Sequence, residues 1–563
     1  MPKRLKILEL EQRTAPESLP YRVDAWTVAA LLISVIVAIP VVVLPVLAFF
    51  PEENIWPHLS STVLPRYLTT TLALLFGVAI GTLTFGVSTA WLVTMCRFPG
   101  RKTFTWALLL PLAMPAYVVA YVYTDLLEFA GPVQQALRAW YGWTSAQQYW
   151  FPEIRSLGGA IAMMTLVLFP YVYLLARGAF LEQSAGALEV SRTLGCGPWA
   201  AFRRVALPSA RPAIAVGVSL ALMEALNDFG TVDFFGVQTL SLGVYDIWLN
   251  MGNLGGAAQV GSVMLMFVVI LLVLEQASRR KREHFSSSAS QRQLPGMELH
   301  GLRGLGAFVL CLLLTVLGFI LPGAVLANYS ILYWDEAVSA DVQKFATNSL
   351  LLAIGAAALT VFVGTLLAYA KRLRPGWLVG GAVWIASLGY AVPGSVLGLG
   401  VIIPLGILDN TIDEIARASF GVSTGLLFSG TVTAIVFAYG VRFLTITVGG
   451  ISASLGKVTP SMDMAARTLG HGPLATFWRV HLPLIRGGML TAGVVVFVDC
   501  MKELPATLIL RPFNFDTLAT HVYQFASDQQ IEIAAPGALL IVLAGLLPVL
   551  LLSFAIGADR NRH

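Results

Sequence analysis

Apolar residues in this chain do not recur with the period of a surface helix or a half-buried strand. They come in long unbroken runs separated by short polar joints. Runs of about 17 to 25 apolar residues are long enough to cross a hydrocarbon core of about 30 Å. They read as Trp26–Phe50, Thr70–Cys96, Phe104–Asp125, Leu157–Ala176, Ala210–Leu226 and Val260–Leu274. A second set runs Leu305–Leu326, Ser349–Ala370, Trp377–Leu405, Thr424–Tyr439, Leu490–Leu504 and Pro536–Ile556. All twelve are expected to be helical, because lipid offers backbone N–H and C=O groups no partner outside their own helix. The fold class is therefore all-α integral membrane protein.

Composition agrees. Of 563 residues 57% are hydrophobic and 12% charged, and the mean hydropathy is +0.76. Soluble domains carry about 25% charged residues, so a soluble enzyme and a disordered chain are both excluded. Cys96, Cys196, Cys311 and Cys500 lie far apart without a C-x-x-C, so no zinc or redox motif is indicated.

The placement of positive charge predicts orientation. With these spans, 29 of the 36 lysines and arginines fall on one side. These include five in the leader ahead of Trp26 and the run Arg279-Arg280-Lys281-Arg282. The group between Arg442 and Arg486 is counted there too. Arg66, Arg138, Arg155, Lys344, Arg417, Lys502 and Arg511 fall on the other. By the positive-inside rule both termini and the central linker face the cytoplasm. The first apolar run reads as a retained anchor, because it has full spanning length and no small-residue cleavage site.

The chain repeats itself. Residues 189–208, EVSRTLGCGPWAAFRRVALP, and residues 464–483, MAARTLGHGPLATFWRVHLP, share 12 of 20 positions at an offset of 275. Thr71-Leu72 aligns with Ser349-Leu350, Pro115 with Pro393, and Thr239-Leu240 with Thr517-Leu518, each at an offset of 278. Six spans written twice enter the membrane the same way round, which predicts two parallel six-helix repeats with a seam between them. The expected layout is a leader 1–24, a first unit 25–278, a basic and serine-rich linker 279–302, and a second unit 303–563.

The repeated segments, about 185–208 and 460–483, lie between the fourth and fifth spans of each unit on the predicted cytoplasmic side. Gly195 and Gly470 permit a sharp turn, and Pro198 and Pro473 suit the first turn of a new helix. Phe202 and Phe477 read as apolar knobs, and Arg203, Arg204 and Arg479 offer cations to an acidic partner. An isolated helix of this kind also suits lipid headgroups. Its duplication favours a duplicated protein partner. His471 and His481 are expected to be solvated.

These residues resemble the E-A-A-x3-G-x9-I-x-L-P loop of binding-protein-dependent ABC importer permeases. The first copy matches at Glu189, Gly195 and Val205-Ala206-Leu207-Pro208. The second matches at Ala465-Ala466, Gly470 and Val480-His481-Leu482-Pro483, with Met464 where the family has glutamate and Asp463 one place earlier. The resemblance implies a type I importer permease fold, whose loops dock on two copies of a cytoplasmic ATPase subunit. The implied coupling residues are Glu189, Gly195, Gly197, Phe202, Arg204 and Pro208 in one loop. In the other they are Asp463, Gly470, Gly472, Phe477, Arg479 and Pro483, and the two docking contacts are expected to be unequal. No G-x-x-x-x-G-K-[ST] occurs in the sequence, so the chain is expected to be a permease rather than an enzyme, without a cofactor of its own, and ATP and magnesium would sit on the partner.

The stretches Asn227–Val237 and Lys502–Phe513 are similar to segments of fused, two-unit permeases of ferric-iron importers. That resemblance implies a bacterial inner-membrane protein receiving iron(III) from a periplasmic binding protein, surrounded by lipid and with no nucleic-acid partner. Thiamine and other small solutes are carried by permeases of the same layout.

Acidic residues bear on the cargo independently. Glu224 and Asp228 lie near the far end of the fifth span, and the offset of 275 maps them onto Asp499 and Glu503. Spacing of i, i+4 places each pair on one helix face. Carboxylates within membrane spans usually face a cavity or a partner, and oxygen donors suit hard cations such as a transient iron(III). The same four acids also suit helix caps, partners for Lys502 and Arg511, or a surface for the binding protein. Tyr117, Tyr121 and Tyr123 are further candidate oxygen donors or aromatic-belt residues, and Pro115 and Pro393 are expected to kink spans three and nine. A proton-coupled carrier using Glu224 or Asp499 is the rival from another class, disfavoured by the duplicated loop. Within the spans no H-E-x-x-H or G-x-S-x-G supports an intramembrane enzyme.

Overall fold

The computed structural model describes residues 24–182, 194, 197–280 and 297–561. The leader ahead of Asp24, most of the linker, and Glu189, Gly195 and Cys196 lie outside the described residues. Twelve helices are named here: α1 Ala25–Phe49, α2 Leu64–Met95, α3 Ala116–Leu127, α4 Leu157–Glu182, α5 Leu207–Asn227, α6 Leu254–Arg280, α7 Leu302–Leu332, α8 Ala340–Leu373, α9 Gly394–Phe420, α10 Val432–Leu455, α11 Leu482–Met501 and α12 Ile531–Asn561. Eleven described helices are long and apolar enough to cross a membrane, or up to 12 if the bent pair around Pro115 is one span.

Two expected spans are broken. The third turns by 91° between Arg101–Ala113 and the helical stretch that begins with α3. Met114, the residue before Pro115, has φ −89° and ψ 122°, and Val392, before Pro393, has φ −74° and ψ 126°. Proline disfavours helical backbone at the preceding residue, so each break falls where the repeat places a proline. The expected ninth span, Trp377–Leu405, is accordingly a short helix Trp377–Ala386, a turn at Gly389–Ala391, and then α9.

The tenth span is displaced as well. The expected span is Thr424–Tyr439 with Arg442 in the loop beyond it, whereas α10 begins at Val432 and carries Arg442 in its interior, buried. Arg442 therefore leaves the group of loop cations to which its sequence position assigned it.

The repeat is visible in matched hydrogen bonds. Leu240 N donates to Thr71 Oγ1 at 3.0 Å, and Leu518 N donates to Ser349 Oγ at 2.8 Å, each tying a short helix to the second span of its unit. A wide π turn occurs at Phe202–Ala206 and again at Phe477–His481. Both precede a proline, Pro208 or Pro483, whose missing N–H removes a rung of the regular helix ladder.

The two units interlock. Helix α1 packs on Trp377–Ala386 and α9 of the second unit, with Ser34 Oγ donating to Ala382 O at 2.6 Å. Reciprocally α7 packs on the first unit, where Tyr123 Oη donates to Leu317 O at 2.7 Å and Tyr329 Oη to Asp125 Oδ2 at 2.7 Å. Each unit's first helix thus braces the other, and α4, α5, α10 and α11 are left around the seam.

Candidate functional site

Both fifth helices stop early. Helix α5 ends at Asn227 and α11 at Met501, so Asp228 and Glu503 lie just past a helix end instead of sharing a helix face with Glu224 and Asp499. The expected i, i+4 geometry is corrected accordingly. At each break the acid holds the start of the next short helix. Thr231 N donates to Asp228 Oδ1 at 2.8 Å, and Ala506 N donates to Glu503 Oε1 at 3.2 Å. A carboxylate there satisfies N–H groups that have no partner inside the helix.

The turns bring all four acids to one cavity at the seam, with a volume of about 110 Å³. Glu224, Asp228, Asp499 and Glu503 line it together with Arg442 and Lys502. Lys502 Nζ lies 2.9 Å from Asp499 Oδ1, and Arg442 Nη1 lies 3.2 Å from Glu503 Oε1. Glu224 Oε1 accepts from Tyr390 Oη at 2.9 Å. Arg511, considered above as a partner for these acids, pairs with Asp516.

Of the three tyrosines named from sequence, Tyr117 lines the cavity, and its hydroxyl has no hydrogen-bond partner among the described residues. Tyr121 packs edge-on against Phe234, and Tyr123 is the tether to α7. Asn227 Oδ1, also on the cavity wall, is unpartnered too. Among the described residues no group of three or more His, Cys, Asp or Glu is arranged to hold a metal ion. The four acids form a charged lining and do not converge as a preformed chelate.

The repeated loops sit at the other end of the bundle. In the second, helix Pro460–Thr468 leads to Gly470, whose φ of +80° is the left-handed backbone that favours glycine, and on to Gly472 and Pro473–Thr476. Arg372 binds Asp463 Oδ2 through Nη2 at 2.8 Å and Nε at 3.1 Å, and also donates to the carbonyls of Leu455 and Val458. His481 Nε2 donates to Asp463 Oδ1 at 2.6 Å. Burial alone would raise the Asp463 carboxyl, but the hydrogen bonds from His481 and Arg372 and the charge of Arg372 hold it below its usual value. Asp463 is thus an internal fastening. His481 is buried, against the expectation of a solvated ring.

The expected aromatic knobs also face inward. Phe202 is 8% exposed and packs on Trp91, and Phe477 packs half-buried on Tyr369. The outward apolar residues are Leu194 and Trp199, matched at the offset of 275 by Leu469 and Leu474, all at least 61% exposed. Arg204 and Arg479 are exposed beside them, while Gly197, Pro208 and Pro483 occupy the turns and helix starts. Glu189 and Gly195 lie outside the described residues.

Comparison with known proteins decides the family. Residues 82–283 match the family described as binding-protein-dependent transport system inner membrane component. The molybdenum transport system permease protein ModB of Escherichia coli is 30% identical over 184 residues, 32% of this chain and 77% of that protein. The chain belongs to this permease family. Two longer matches span both units of the permease. The Fe(3+)-transport system permease protein FbpB 2 of Haemophilus influenzae is 26% identical over 493 residues, 86% of this chain and 89% of that protein. The ferric transport system permease protein FbpB of Actinobacillus pleuropneumoniae is 23% identical over 550 residues, covering 91% and 75% respectively.

In this permease, sequence reasoning missed Arg442, Tyr390 and Asn227 as cavity residues, whereas Lys502, named from sequence as a partner for the acids, does pair with Asp499. The signal for Arg442 was present. At the offset of 275 it aligns with Val167, inside the fourth span of the first unit, which marks it as a charge within a membrane helix.

Proposed function

We propose that the chain is the membrane-spanning permease of an ABC importer that carries iron(III), with ATP hydrolysed on separate subunits. The observation that carries this reading is the end-to-end similarity to proteins named as ferric and Fe(3+)-transport permeases, over 86% of the chain in one case. The seam cavity supports it physically. Four carboxylates against two cations leave a formal charge of −2, which favours a cation over an anion.

The remaining parts follow the sequence. Two ATPase subunits dock on the two repeated loops, through Leu194 and Trp199 in one and Leu469 and Leu474 in the other. The Lys and Arg bias supports a cytoplasmic position for those loops and both termini. A periplasmic binding protein delivers the ion at the opposite face. Glu224, Asp228, Asp499 and Glu503 line the ion's path, and the carboxylate oxygens replace part of its hydration shell.

The test is ATP hydrolysis by the lipid-reconstituted complex with its binding protein empty, loaded with iron(III), or loaded with molybdate or thiamine. Stimulation by the iron-loaded protein alone supports the reading, and stimulation by another loaded protein alone contradicts it.

A further inference from the structure

The cavity is lopsided in a way the repeat does not require. Each unit supplies two acids at matched positions, yet both cations come from the second unit. Arg442 and Lys502 align at the offset of 275 with Val167 and Asn227, which are neutral. Asp499 and Glu503 consequently have cations within 3.2 Å, whereas neither Glu224 nor Asp228 has an ion-pair partner among the described residues. On that first-unit wall Tyr117, 4% exposed, leaves its hydroxyl unpartnered, and Asn227, 7% exposed, leaves Oδ1 unpartnered. Buried polar atoms are nearly always hydrogen-bonded, so two orphan oxygens on residues that line one cavity point to a ligand that supplies what they lack.

Four carboxylates without counter-ions would collect any ambient cation. A cation tethered to the chain blocks this, because it is always present at high local concentration and a free ion of equal charge gains nothing by replacing it. Attraction scales with the product of charges, so a trivalent ion displaces a tethered single charge more readily than a divalent ion does, and sodium or potassium does not displace it. Lys502 is suited to yield. Its side chain is 29% exposed and follows the end of α11, while Arg442 is 7% exposed and fixed inside α10.

We propose that Lys502 and Arg442 are built-in counter-ions that hold Asp499 and Glu503 against ambient mono- and divalent cations, and that Glu224, Asp228, Asn227 Oδ1 and Tyr117 Oη receive the trivalent cargo first. This rests on the iron(III) reading and adds to it a selectivity device confined to one unit. No bond to the cargo is covalent and no electron moves; the ammonium of Lys502 exchanges its place at Asp499 for the incoming ion.

The full-length permease in nanodiscs of zwitterionic lipid tests this with terbium(III), a hard trivalent probe. Its luminescence is read through sensitisation by the cavity tyrosines Tyr117, Tyr171 and Tyr390. Calcium(II) then competes. Lys502→Gln is expected to lower the calcium needed for half-displacement by about tenfold, a change of about 1.4 kcal/mol, and Asp499→Asn with Lys502→Gln to restore the wild-type value. Glu224→Gln with Asp228→Asn is expected to abolish the sensitised signal. Unchanged competition in Lys502→Gln, or a double variant as permissive as the single, overturns the proposal while leaving the iron(III) reading intact. Absence of any sensitised signal in the wild-type protein overturns both.

Discussion

The guanidinium of Arg442 lies 3.2 Å from Glu503, with both side chains no more than 7% exposed, and joins α10 to the turn that follows α11. Removing one member of a buried pair leaves the other charge uncompensated, at a cost of about 3–5 kcal/mol. Arg442→Leu is therefore expected to lower the thermal unfolding midpoint in detergent much more than Arg442→Leu combined with Glu503→Leu. Equal losses in the single and double variants would show that the pair does not act as a unit.

Gly394, the first residue of α9, sits against this pair. A Cβ there would lie 2.5 Å from Arg442 Nη1 and 2.7 Å from Glu503 Oε1. Both neighbours are held by each other, so Gly394→Ala is expected to displace the ion pair and destabilise by about 1–3 kcal/mol. Iron uptake should fall with it. Wild-type stability and uptake in this variant would mean that the pair has room to move.

The apolar residues of the repeated loops divide into inward and outward sets, which gives opposite expectations. Leu469→Glu and Leu474→Glu alter exposed positions, so they are expected to abolish co-purification of the ATPase while shifting stability by no more than about 0.5 kcal/mol. Phe202→Ala opens a buried contact with Trp91 and is expected to cost about 3–5 kcal/mol of stability. A Phe202→Ala protein of normal stability that fails to bind the ATPase would restore Phe202 to the docking surface.

Sequence and structure agree where a rule concerns the length or duplication of apolar runs, and part where a charge or a proline interrupts one. The positions of α1, α2 and α4 follow from unbroken apolar stretches. The breaks at Pro115 and Pro393 were legible as kinks, but only tertiary packing fixes a 91° turn at the first of them. Arg442 misled the reading of α10 because a hydropathy run ends at a charge, whereas the folded chain buries that charge against Glu503. The four acids were legible from the repeat and Lys502 was named beside them, but Arg442 was not, because it has no charged counterpart in the first unit.

The fastening at Asp463 has a defined pH window. Its carboxyl is held below the ordinary 3.8, so its contribution is complete above that ordinary value and is lost only as pH falls through the lower folded-state value. Asp463→Asn is expected to uncouple ATP hydrolysis from uptake at pH 7, whereas the wild-type protein shows no loss from Asp463 protonation between about pH 5 and 8. Unaltered coupling in Asp463→Asn would show that the bonds to Arg372 and His481 carry no mechanical load.

Iron(III) uptake by the reconstituted complex, wild type against Glu224→Gln with Asp499→Asn, tests the central claim most directly, with ATPase co-purification and thermal stability measured on the same samples. The predicted result is uptake driven by ATP and the iron-loaded binding protein in the wild type. In the double variant it falls at least about tenfold, a loss of about 1.4 kcal/mol or more from the transport step, with the complex still assembled. Uptake undiminished in that variant would contradict an ion path through the seam cavity.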